Sequence, residues 1–99
     1  MLNINKKAEN SKLTIALEGR VDTTTAPELD QAVKSSMDGI SELVLDLKKL
    51  DYISSAGLRV LLSAQKAMNK QGQMKLCNVN ETIMEIFEVT GFSDILTIE

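Results

Sequence analysis

No histidine occurs in this 99-residue chain, and cysteine occurs once, at position 77. Zinc clusters need imidazoles or several thiolates, and the common hydrolytic triads need a histidine base, so both chemistries are excluded. A lone thiol also closes no internal disulfide. A strong charge excess is missing as well: 14 carboxylates face 11 Lys plus Arg, a net charge of −3, and no basic block interrupts the chain. That balance argues against a phosphate-backbone binder, so nucleic acid is not an expected partner. No apolar run approaches the roughly 18 residues that a bilayer span requires. The opening MLNINKKAENSK lacks the apolar middle of a signal peptide, and the expectation is a cytoplasmic protein with no membrane association. No P-loop pattern is present, since SAGLR carries no lysine directed at a phosphate. Asp46 and Asp51 flank the end of a strand but have no companions that would raise a pKa or bind a metal, so they read as surface acids. No catalytic residue, cofactor or metal site is expected, and the chain is not read as an enzyme.

What is present is a hydrophobic content of 43%, enough to fill one modest core. Repeats, low-complexity stretches and linkers are absent, so a single domain over residues 1–99 is expected. In KLTIALEG, Leu13, Ile15 and Leu17 alternate with Thr14, Ala16 and Glu18, the period of a strand with one buried face. Leu2 to Lys6 can form an earlier strand. Thr25 and Glu28 have capping-box spacing and Pro27 suits a first turn, which predicts a helix from about Ala26 with Leu29 and Val33 inward. ELVLDL reads as a central strand covered on both sides. From Gly57 to Gln71 the pattern turns helical, with Val60, Leu61, Ala64, Ala67 and Met68 on one face and Gly72 as the stop. QMKLCNV is a further strand, in which Cys77 reads as a small buried hydrophobe. Asn80 caps a helix carrying Ile83, Ile86 and Phe87, Gly91 ends it, and a last strand is predicted over Ile95 to Ile98. The order β β α β α β α β implies an α/β fold, with crossover helices packed on a largely parallel sheet.

Partners of open α/β sheets tend to engage loops beyond the carboxyl ends of the strands, and DYISSAGL is one such loop. One of Ser54 and Ser55 is explained as a helix cap. The other can be a phosphate acceptor, because a phosphate at a positively polarised helix start gains from the dipole and the free amides. In GRVD, Gly19 permits positive φ and Asp22 can bond nearby backbone as a turn residue. Leu58, Leu62 and Met84 lie beside the inward stripes and read either as peripheral core or, if gathered near Ser55, as an interface.

LEGRVDTTTAPEL, LVLDLKKLDYISSAGLRVLL, GQMKLCNV and IFEVTGFSDI, in that order and spacing, resemble the STAS domain of bacterial anti-sigma-factor antagonists over nearly the whole chain. The resemblance implies a mixed, mostly parallel sheet of about four to five strands with three or more helices. It implies an antagonist that, unphosphorylated, binds an anti-sigma factor with serine kinase activity and so frees a sigma factor. A serine phosphatase would restore the active form. Family antagonists carry an Asp-Ser pair followed by a small residue, Gly and Leu; the phosphorylated Ser matches Ser55, and Ser54 stands where the Asp would be. Asp22, Thr23, Ser54, Ala56, Gly57, Leu58 and Arg59 become the partner-facing candidates, Arg59 occupying a position where antagonists often have Gly. Two alternatives stay open: a constitutive interaction scaffold with the same fold, favoured by the missing Asp, and a nucleotide-binding or small-molecule-binding domain, which rests on fold analogy alone.

Overall fold

The computed structural model describes residues 2–99. Strands β1 (Leu2–Glu9) and β2 (Lys12–Val21) form an antiparallel hairpin in which Glu9 pairs with Lys12. Asn10 makes the turn at φ 55, a left-handed geometry that its short side chain tolerates. Helix α1 (Ala26–Lys34) leads to β3 (Glu42–Ile53), and α2 (Ser55–Asn69) leads to β4 (Gln73–Cys77). Helix α3 (Glu81–Thr90) closes the regular structure. The sheet order is β1-β2-β3-β4, with β2, β3 and β4 mutually parallel. The expected α/β fold is therefore present, as a mixed sheet of four strands with three helices.

One hydrophobic core joins the layers. Leu13, Ile15 and Leu17 from β2 and Leu43, Leu45 and Leu47 from β3 are buried with Leu29 and Val33 of α1, Leu61 and Met68 of α2, and Ile83 and Phe87 of α3. The alternate positions Thr14, Ala16, Val44 and Asp46 are only half-buried. This corrects the expectation that ELVLDL is covered on both sides: its leucines face the helices, and Val44 and Asp46 face the open side. Cys77, paired in register with Asp46, is likewise half-buried rather than interior. Burial first, then the Asp46 and Glu99 carboxylates, push its thiol pKa up, which keeps it protonated and unreactive.

Strand β3 runs six residues beyond the predicted Leu47. Ala16 pairs with Asp46 but Glu18 with Lys49, and Gly19 pairs with Leu50 but Arg20 with Tyr52, so β3 takes up an extra residue at two bulges. Gly19, at φ 108, supplies the backbone freedom on the partner strand. The bulges put Leu47, Leu50 and Ile53 into the core at every third residue. The predicted strand at Ile95–Ile98 is reduced to one bridge between Leu76 and Ile98, because Phe92–Asp94 form a 3-10 turn first. Leu76 alone makes that contact, its N–H donating to Thr97 O and its carbonyl accepting from Glu99 N, each at 2.8 Å.

Candidate functional site

The expected loop DYISSAGL shrinks to one residue. Asp51, Tyr52 and Ile53 belong to β3, and α2 begins at Ser55, two residues before the predicted start. Ser54 is extended, at φ −91 and ψ 176, and its Oγ accepts from Gly57 N at 3.4 Å, the geometry of an N-cap. Its own N–H donates to Val21 O at 2.8 Å, so the end of β2 is tied to the start of α2. Ser55 takes the first helical position and is exposed. Among the described residues its hydroxyl appears in no side-chain hydrogen bond. The two serines thus divide the work: Ser54 finishes the helix and Ser55 is left facing outward.

Gly57 and Leu58 were expected to face a partner, and the structure places both inside. A Cβ on Gly57 would sit 2.6 Å from both Ile53 Cγ1 and Val21 Cγ1. Only a residue without a side chain lets the first turn of α2 rest directly on the ends of β2 and β3. Leu58, 4% exposed, anchors the same turn in the core. These two residues hold Ser55 at a defined height and do not themselves form the surface. Ser55, Arg59 and Thr23 are exposed, and Ser54, Ala56 and Asp22 are half-buried. Leu62 and Met84 are half-buried as well and belong to the periphery of the core.

Across from Ser54, Asp22 organises the turn before α1. Its Oδ1 accepts from Thr24 Oγ1 at 2.7 Å, from Thr24 N at 3.0 Å and from Thr25 N at 3.1 Å. Thr25 does not cap α1 with its side chain, contrary to the capping-box spacing. Its hydroxyl instead donates to Arg20 O and accepts from Asp22 N, both at 2.8 Å, stitching the turn to the end of β2. The Thr24 hydroxyl, followed by the Thr25 N–H, lowers the Asp22 pKa from 3.8 to about 2. A carboxyl more acidic in the folded chain stabilises it fully above 3.8 and ceases to do so as pH falls toward 2. Thermal unfolding followed across that interval should show the wild type losing ground relative to Asp22→Ala, whose acid limb is flatter; parallel curves would mean the turn is not held by the carboxylate.

Sequence reasoning missed Arg20. Its guanidinium lies 4.6 Å from the centroid of the Tyr52 ring, opposite it in the β2/β3 register. That pairing depends on both bulges, which leave no periodic signal. Among the described residues no group of three or more His, Cys, Asp or Glu is placed to hold a metal ion, and no helix is long and apolar enough to cross a membrane.

Comparison with known proteins agrees with this geometry. The model of the STAS domain matches residues 3–99. The chain is 40% identical over 88 residues to BtrV of Bordetella bronchiseptica, by name a candidate anti-sigma factor antagonist, covering 87% of this chain and 76% of that protein. It is 30% identical over 98 residues to the anti-sigma-B factor antagonist of Bacillus subtilis, covering 98% of this chain and 90% of the relative. The solved structures of the Bacillus anti-sigma factor antagonist SpoIIAA share the fold at low identity. Its unphosphorylated form superposes with a TM-score of 0.77 at 13% identity, covering 98% of this chain and 87% of that one. Its phosphorylated form gives 0.76 at 14%, covering 98% and 91%. With a family match over residues 3–99 and a fold shared with these solved structures, the chain belongs to the STAS domain family.

Proposed function

We propose that this chain is an anti-sigma factor antagonist switched by phosphorylation of Ser55. The observation that carries the reading is the exposed Ser55 hydroxyl at the first residue of α2, left free because Ser54 does the capping. Unphosphorylated, the surface around Ser55 docks an anti-sigma factor with serine kinase activity, which lets go of its sigma factor. Asp22, Thr23, Ser54, Ala56 and Arg59 border the contact, while Gly57 and Leu58 set its position from below. Names of the relatives support the antagonist role, and the existence of SpoIIAA in two phosphorylation states supports the switch.

In the switching step Ser55 Oγ attacks the γ-phosphorus of an ATP held by the partner. The new O–P bond replaces the bond to the β-phosphate oxygen, ADP leaves, and the hydroxyl proton passes to a base on the kinase. The base belongs to the partner because Ser54, where the family resemblance implies Asp, offers no carboxylate and already uses its oxygen as a cap. The chain is then substrate and inhibitor, and a serine phosphatase reverses the change by hydrolysing the O–P bond. Both events belong in the cytoplasm, where ATP is available.

The test is incubation with the cognate kinase and ATP, read by mass. One phosphate on the wild type and none on Ser55→Ala is the expected result. No uptake by the wild type, or undiminished uptake by Ser55→Ala, overturns the proposal. The neutral Ser54 favours a second reading, a STAS scaffold that binds its partner constitutively; partner binding by a wild-type chain that takes up no phosphate would select it.

A further inference from the structure

Arg59 follows Ser55 by four residues, one turn along α2, and both are exposed. Side chains at this spacing are neighbours, and an acid placed N-terminal to a base is the favourable orientation. Arg59 takes part in none of the ion pairs found among the described residues, which join Lys7 to Glu9, Lys34 to Asp30, and Lys75 to Glu42 and Glu99. It is a cation without an anion. The first turn of α2 contains no acidic residue to engage it.

We propose that Arg59 is the built-in ligand of the phosphate on Ser55. This rests on the reading of Ser55 as the modified residue. What holds the phosphate is a side chain, not merely the helix end. A guanidinium presents a planar fork that meets two phosphate oxygens at once, whereas a lysine offers a single point charge. The neighbouring turn carries an acid, Asp22, which follows the Val21 carbonyl bonded to Ser54 N. Its carboxylate is satisfied by Thr24 and Thr25 and repels a dianion, so Arg59 is the group that offsets it. Lys66, in the last turn of α2, is too far along the helix to substitute.

The arrangement makes the switch two-sided. Before modification, Arg59 is an available positive group beside the Ser55 hydroxyl, suited to an acidic residue on the kinase. After modification it turns onto the phosphate, so the partner meets a new negative charge and loses a positive one. An Arg59→Gly chain would gain the negative charge but have no cation here to withdraw.

The test uses the full chain with phosphoserine encoded directly at position 55, so it needs no kinase. Failure of the kinase assay and failure of this clamp are therefore separate results. Phosphorus NMR titration gives the second pKa of the phosphoserine, ordinarily about 6. It should be lower by about 0.5 in the wild type than in Arg59→Gln, because the guanidinium favours the dianion. Arg59→Lys should recover part of the difference, and Lys66→Gln should leave the wild-type value in place. Equal values in wild type and Arg59→Gln overturn the proposal, as does an equal shift caused by Lys66→Gln, which would reduce the effect to general charge. All three positions are exposed, and matching thermal unfolding curves of the unphosphorylated variants verify that only the pair is being read.

Discussion

Ser55→Asp should weaken binding to the kinase-type anti-sigma factor by about 100-fold or more, while Ser55→Asn stays within several-fold of wild type. The pair of variants separates charge from size, since the two side chains are nearly isosteric. At the first residue of α2 an added carboxylate is locally favourable, gaining from the helix dipole by roughly 0.3–1 kcal/mol. The folded chain therefore does not suffer, and lost binding cannot be attributed to unfolding. The cost appears in the complex, where a charge unmatched by the partner must be desolvated or set against a like charge, at several kcal/mol. A 100-fold loss corresponds to about 2.7 kcal/mol, within that range. Phosphoserine carries roughly −1.5 to −2 charges against one for Asp, so the modified chain should bind more weakly still. Titration calorimetry on the unmodified proteins decides the point. Equal affinity for wild type and Ser55→Asp removes the phosphoswitch and leaves the constitutive scaffold.

How far the site could be read beforehand follows from which forces are local. Capping is local, so Asn80 performs as its position suggests, its Oδ1 accepting from Ile83 N at 2.9 Å. The same logic assigns the cap before α2 to one of Ser54 and Ser55 without saying which, because periodicity alone placed the helix start at Gly57; the structure gives the cap to Ser54. The end of α3 was equally legible, with Gly91 in the left-handed region at φ 83. Long-range effects were not. Leu47, Leu50 and Ile53 are buried at intervals of three because of two bulges opposite β2, a spacing that matches neither strand nor helix. Without that extension of β3, Asp51 to Ile53 look like a loop and Gly57 looks like surface, while Leu58, readable as peripheral core or as interface, belongs to the core. Thr25 misleads for a related reason. Its spacing to Glu28 is that of a capping box, but the end of β2 lies close enough to capture its hydroxyl at Arg20 O. The tertiary partner outcompetes the local one.

Gly72→Ala should lower stability by about 2–4 kcal/mol. Gly72 reads in the sequence as an ordinary helix stop, and it is exposed. Its role is not left-handed geometry: the helix end before it, at Lys70, is in the right-handed region, and Gly72 has no positive φ. A Cβ here would collide with the backbone carbonyl of Ser41, meeting its oxygen, and lying 2.5 Å from its carbon and 2.8 Å from its Cα. That carbonyl is part of the backbone and cannot rotate away. It accepts from Gln73 N at 3.0 Å, while the N–H of the same peptide, on Glu42, donates to Ser11 O at 3.2 Å, so the peptide is held from two directions. Glu42 pairs with Gln73 at the start of the β3/β4 ladder, immediately beside this contact. Relieving the clash moves the peptide and loosens that first rung. Overpacking costs roughly 1–3 kcal/mol and the lost hydrogen bond about 1 kcal/mol. A domain of this size loses about 4–8 °C per kcal/mol, so the midpoint of thermal unfolding should drop by about 10 °C or more. Gly39→Ala is the informative control, because its Cβ meets nothing within 4 Å and only the strain of φ 78 remains. The two variants should differ clearly, Gly72→Ala melting well below Gly39→Ala. A Gly72→Ala midpoint equal to that of Gly39→Ala or higher would show that the α2–β4 junction yields, and that close backbone approach does not set the register of the last strand.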